Sequence, residues 1–312
     1  MAPPNEGPGG MSGNAVAASE RSWLFVPGDS ERKQLRAFES GADALIFDLE
    51  DSVAPARRNV ARERIAALLA ERRANPGAQR LWVRVNGPSS GDLLEDLTAI
   101  ARGAPDGIVL PKVSTPEELV QAHHYLSALE QREGLRAGSI GVLVIATETA
   151  RAVLAIERLA AGAPRLVGLT WGAEDLGASL GVRARVEADG SMTPVFELAR
   201  SLCLLAAAAA GVAAIDGVHA DFRDAQGLVR ELARARRDGF SGKLAIHPEQ
   251  VAPINAAFTP SESEIARARR IVAAFAETPD VGVTSLDGQM IDRPHLLQAE
   301  RLLAAADRLA RR

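Results

Sequence analysis

One grammar recurs along this chain from Ser22 onward: a short apolar, β-rich run, a polar or glycine-containing turn, then an amphipathic stretch with helical spacing. The apolar runs fall at residues 23–27, 44–49, 81–85, 107–110, 142–146, 166–171, 215–219 and 243–246. Helical patterns between them include residues 30–40, 60–73, 116–133, 151–160, 195–210 and 226–238. Alternating strands and helices impose parallel strands with right-handed crossovers, and eight such units close into an α/β fold, the (β/α)8 TIM barrel. No GxGxxG follows the first run, which disfavours the doubly wound dinucleotide-binding alternative.

The barrel accounts for residues 21–258 of the 312. Residues 1–20, rich in Gly, Pro, Ala and Asn, read as a flexible leader without the pattern of a signal peptide. Residues 259–312 are too many for one closing helix and read as a C-terminal helical extension, a lid able to cover a neighbouring subunit's active site. Ser261 and Glu264 have capping-box spacing and start a helix running to about Glu277. A glycine-containing polar stretch, VGVTSLDGQMIDRP, connects it to a last Leu-, Ala- and Arg-rich helix.

Charge narrows the function classes. With 36 basic and 40 acidic side chains the net charge is -4, which argues against a nucleic-acid partner. No apolar run approaches the ~20 residues of a membrane span. The single cysteine, Cys203, sits among Leu and Ala as a small core residue and suits a reducing, cytoplasmic setting.

Barrel enzymes keep their chemistry at the C-terminal ends of the strands. Those ends read Pro27-Gly28-Asp29, Asp48-Leu49-Glu50-Asp51, Arg84-Val85-Asn86, Pro111-Lys112, Glu148, Glu174-Asp175, His219-Ala220-Asp221 and His247-Pro248. Two carboxylates on neighbouring strands converge on one rim and can share a hard cation, so Glu148 and Asp175 are expected as Mg2+ ligands, with Mn2+ the alternative ion.

Taken in order, LFVPGDS, FDLEDSVAP, VRVNG, VLPKV, IATETA, WGAEDL, AIHPEQ and GQMIDRP closely resemble the citrate lyase beta subunit-like branch of the HpcH/HpaI aldolase family, over about residues 22–310. Each piece alone is weak; the ordered set is specific. The resemblance implies magnesium at Glu148 and Asp175, a 2-keto acid chelating that ion, and substrate contact by Arg84. It further implies an acid or base role for Asp292, which in CoA-ester lyase relatives is brought over the active site by an adjacent subunit. A homo-oligomer, in all expectation a trimer, follows from that.

The remaining residues are read on their own chemistry. Arg84 can clamp a carboxylate with two hydrogen bonds and neutralise an enolate oxygen, the alternative being an ion pair with the Asp48, Glu50 and Asp51 group. Glu50 and Asp51, carried as candidate catalytic residues, are expected behind the metal, holding its waters or Arg84, with purely structural pairing equally open. Gly172 and Ala173 offer backbone amides to a substrate carboxylate, and Glu174 is grouped with them. Lys112 reads as ionic or orienting. His123 and His124 read as packing residues, and His219 and His247 as structural hydrogen-bonders. Arg32, Lys33, Arg57 and Arg58 are placed to meet CoA phosphates. The expected reaction is carbon–carbon cleavage of a 3-hydroxyacyl-CoA of the malyl-, citramalyl- or citryl-CoA type, its reverse condensation, or thioester hydrolysis. The competing readings are a class II aldolase on free hydroxy-keto acids and a citrate lyase beta subunit working with an acyl-carrier subunit.

Overall fold

Eight parallel strands close into one barrel in the computed structural model, which describes residues 20–161, 163, 165–277 and 281–311. They are β1 (Ser22–Pro27), β2 (Ala44–Asp48), β3 (Arg80–Arg84), β4 (Gly107–Leu110), β5 (Gly141–Ile145), β6 (Leu166–Thr170), β7 (Ala213–Asp216) and β8 (Gly242–Ala245), with β8 pairing back onto β1. The expected leader lies outside the described residues apart from Glu20. Among the described residues no helix is long and apolar enough to cross a membrane.

The two-residue period of each strand sorts side chains into two cores. Leu24, Leu45, Phe47, Val83, Leu110 and Val144 face the surrounding helices. Trp23, Ile46, Trp82, Val109, Leu143 and Ile215 fill the barrel interior. Trp23 and Trp82 meet edge to face at 5.0 Å, and Trp82 lies where a Cβ on Gly107 would come within 2.1 Å, so only glycine fits that point of β4. The interior is thus a packed plug. Side chains of the same parity one step further, Asp48 on β2 and Arg84 on β3, rise from that plug to the rim as register partners.

Helix α1 (Glu31–Phe38) follows β1, and a short helix, α2 (Ala173–Leu180), follows β6 with Glu174 and Asp175 in its first turn. Two expectations need correcting. The helix expected over residues 151–160 is two short helices meeting at Ala155, whose ψ of 9° departs from helical geometry. The seventh strand stops at Asp216, leaving His219 in the following loop.

The polar stretch before the last helix is a hairpin, β9 (Val283–Leu286) with β10 (Gln289–Asp292). Its turn, Asp287-Gly288, has positive φ at both residues (53° and 75°), the geometry that matches strand twist in two-residue loops. The Asp-Gly pair was the sequence signal for it. The hairpin packs between α3 (Glu262–Ala276) and α4 (Arg293–Ala310) around Ile271, Phe275, Ile291 and Ala299, a core separate from the barrel's. The Ser261 and Glu264 capping box is present.

Candidate active site

Three rim segments meet through one lysine. Lys112, just past β4, donates its backbone N–H to the Glu148 carboxylate. Its Nζ lies 2.6 Å from Glu50 Oε1, 3.0 Å from Asp51 Oδ2 and 3.5 Å from Asp175 Oδ1. Glu148 and Asp175 are therefore gathered on one side of the rim. Gly172 makes room for this: a Cβ there would sit 2.9 Å from Glu148 Cγ.

Arg84 stands beside this group. Its Nε and Nη2 donate to the two oxygens of Asp48 at 2.7 and 2.6 Å, a bidentate pair. Nη1 lies 3.0 Å from Glu50 Oε2, a charge contact without hydrogen-bond alignment, since that oxygen is buried and otherwise unsatisfied. The guanidinium also lies 4.8 Å over the Phe25 ring. Phe25 escaped the sequence reading, although it shares the inward parity of Trp23.

Burial acts on these acids unequally. Desolvation pushes Glu148, 3% exposed, up to about 8; the Lys112 amide opposes this, while Asp175 and Glu50 add to it. Burial also raises Glu50 despite Arg84 and Lys112. For Asp48 burial works in the same sense, but Arg84 outweighs it and holds the carboxyl below its ordinary range. Arg84 and Lys112 are in turn held more firmly protonated by their carboxylates, against the effect of burial.

A buried acid beside a half-buried one, with a surplus of carboxylate over cation, is a hard-oxygen donor set that fits a divalent ion. Among the described residues no three His, Cys, Asp or Glu side chains converge as a metal cage.

The other expected residues are placed differently. Glu174 is exposed and paired with Arg185, outside the cluster. The Gly172 N–H donates to Thr147 Oγ1 at 3.2 Å, and Ala173 opens α2 beside it. Arg57 is bound to Asp29 at 2.6 Å and Arg58 to Asp92 at 2.6 Å. Arg32 and Lys33 line a cavity of about 550 Å³ between α1 and the ends of β1 and β8, together with Arg36 and His247. His219 bridges Glu231 at 2.9 Å and the Asp224 carbonyl at 3.1 Å. His123 accepts from Arg165 Nε at 3.0 Å, and Arg165 immediately precedes β6, at the end of the barrel opposite the rim.

Asp292 caps α4 and touches His295. The pairs Asp292–Val283 and Met290–Ser285 put all four on one face of the hairpin, opposite buried Ile291. Val283 and Met290 on that face are 52% and 66% exposed.

Residues 21–248 match the family model described as HpcH/HpaI aldolase/citrate lyase. A (3S)-malyl-CoA thioesterase from Cereibacter sphaeroides is 37% identical over 292 residues, 93% of this chain and 95% of that one. Citrate lyase subunit beta from Escherichia coli is 34% identical, covering 93% and 94%. Among solved structures, protein CitE from Mycobacterium tuberculosis in complex with magnesium, acetoacetate and coenzyme A superposes with a TM-score of 0.74 at 35% identity, covering 93% of this chain and 99% of that chain. Fold, rim and sequence agree: the chain belongs to the HpcH/HpaI aldolase/citrate lyase family.

Proposed function

We propose that this protein is a Mg2+-dependent lyase that cleaves the carbon–carbon bond of a 3-hydroxyacyl-CoA thioester, of the malyl-, citramalyl- or citryl-CoA kind, to acetyl-CoA and a 2-keto acid, or runs the reverse condensation. The observation that carries this reading is the meeting of Glu148 and Asp175 at Lys112, beside the Arg84 guanidinium. The magnesium and coenzyme A of the CitE complex support it. Glu148 and Asp175 would hold the ion, which supplies positive charge to the carboxylate and carbonyl oxygens of the keto acid half.

Arg84 anchors that half and stabilises charge developing on the oxygen as the bond breaks. Glu50 and Asp51 hold Arg84 and Lys112 in place. The hydroxyl proton passes to solvent, its bonding pair forms the keto carbonyl as the carbon–carbon bond breaks, the 2-keto acid departs, and the thioester enolate left with the other pair takes a proton. Asp292 of a second subunit is assigned that transfer, since within its own chain it caps α4 in the extension, on a hairpin face with exposed Val283 and Met290. A homo-oligomer, a trimer in this reading, completes the site. Arg32 and Lys33, on the 550 Å³ cavity, are assigned to the CoA phosphates. The reducing cytoplasm suits buried, free Cys203.

Hydrolysis of the thioester is a second reading, favoured by the relative named for it. A panel of malyl-, citramalyl- and citryl-CoA with Mg2+ separates the two. Release of acetyl-CoA and a 2-keto acid is the expected result; free CoA without keto acid would move the assignment to a thioesterase, and no turnover of any member would sink it. Mixing inactive Asp292→Ala with inactive Arg84→Ala subunits should restore part of the activity, and no recovery after verified subunit exchange would remove the shared site.

A further inference from the structure

We infer that the Lys112 ammonium is a built-in competitor of the divalent ion: it neutralises the open side of the site and so sets how weakly the ion is held. This rests on the metal reading above and adds a role for a residue not yet assigned one in it.

The backbone comes first. Lys112 has φ of 56°, a left-handed conformation that strains a residue with a side chain and that glycine adopts freely. Strain of this kind persists where surroundings over-determine it. Here the N–H of Lys112 is fixed on Glu148, and Gly87 clears the space beside it: a Cβ at 87 would lie 3.2 Å from Lys112 Cβ and 3.1 Å from the Pro111 carbonyl oxygen. A lysine is thus held where glycine would be easier.

Its side chain shows what is gained. An ammonium has three donors, and this one faces three carboxylates, Glu50 at 2.6 Å, Asp51 at 3.0 Å and Asp175 at 3.5 Å. Asp48 is already satisfied by Arg84 in a bidentate pair. Glu50, Asp51, Glu148 and Asp175 then share what remains of Arg84 and the one lysine. A divalent ion entering between Glu148 and Asp175 meets a positive charge already beside Asp175, and the two repel across a short, partly desolvated distance. Deleting the ammonium leaves the carboxylates unbalanced and the cation better held. A merely structural lysine predicts the reverse, a disordered and weaker site.

Magnesium binding to EDTA-stripped full-length protein, measured by calorimetry without substrate, tests this. Lys112→Met keeps the aliphatic stem, Lys112→Gly suits the backbone should the Met variant misfold, and Lys112→Arg keeps the charge. Met and Gly variants should bind Mg2+ at least about tenfold more tightly than wild type and melt lower in EDTA, with a larger rise in Tm on adding Mg2+; Lys112→Arg should stay within about threefold of wild type. Unchanged or weaker binding by Met and Gly variants, with wild type binding, would overturn the inference and leave the metal reading standing. Absence of binding by wild type and variants alike would overturn both.

Discussion

Two clusters of buried charge sit at opposite ends of this barrel. At the N-terminal ends of β5 and β6, Glu130 receives Arg165 Nη1 and Nη2 at 2.6 Å each and the amides of Gly138 and Ile140 at 2.8 and 2.9 Å. Burial would raise this acid, but those donors leave it below its ordinary range. At the C-terminal ends, Glu148 has one amide donor and is pushed up to about 8. One cluster is a finished ion pair, closed to any ligand. The other keeps carboxylate in excess, which only an incoming cation can balance, and that asymmetry separates a clamp from a site.

Exchanging the damage between the ends should separate them most widely. Glu148→Gln should lower kcat/KM by about 10³, the scale of losing ~4 kcal/mol of electrostatic stabilisation, with little change in melting. Arg165→Met should strand Glu130 and destabilise the fold by about 3–5 kcal/mol in denaturant titration, while KM stays at the wild-type value. If both variants lost stability and neither lost activity selectively, the distinction would fail. Arg84→Lys keeps a charge but loses the fork on Asp48, and a fall of about 10²-fold in kcat/KM is expected, whereas near-normal turnover would show that the bidentate geometry is dispensable.

The same contrast has a pH signature. Because Glu148 is raised from 4.5 to about 8 in the folded, metal-free protein, its contribution to stability is complete below about 4.5 and is lost as pH rises through 8. Mg2+ binding must displace that proton, so apparent Mg2+ affinity should climb by up to about tenfold per pH unit between pH 5 and 8 and level off above. Calorimetry across that range checks it, and a flat profile would contradict the placement of Glu148 at the ion. Smaller still, Gly172→Ala should push on Glu148 Cγ and cost about threefold to tenfold in Mg2+ affinity. An unaffected affinity would mean that Glu148 has room to move.

How much of this was legible in the chain follows from what each signal depends on. The eight strands were readable because burial on both faces writes continuous apolar runs, and the rim because each run ends abruptly in polar residues. Arg84 and Asp48 as partners follow from inward parity, which the sequence contains, but their bidentate pairing depends on register between strands, which it does not. Lys112 looked like one polar strand end among eight; its left-handed backbone, and the glycines that make room around it and around Glu148, appear only in three dimensions. Glu174, adjacent to Asp175, turns outward to Arg185 because consecutive helical residues point about 100° apart. The hairpin before Asp292 was announced by Asp287-Gly288, a local signal, whereas the partner that its exposed face meets is a matter of assembly.

The most direct measurement follows keto acid release from (S)-citramalyl-CoA or malyl-CoA by purified protein, first with Mg2+, then after EDTA, then with Mg2+ restored. The account predicts turnover that disappears on chelation and returns with the ion, and that in Glu148→Gln or Asp175→Asn stays about 10³-fold below wild type even with Mg2+ present. Turnover that persists in EDTA, or in either variant at the wild-type rate, would contradict it.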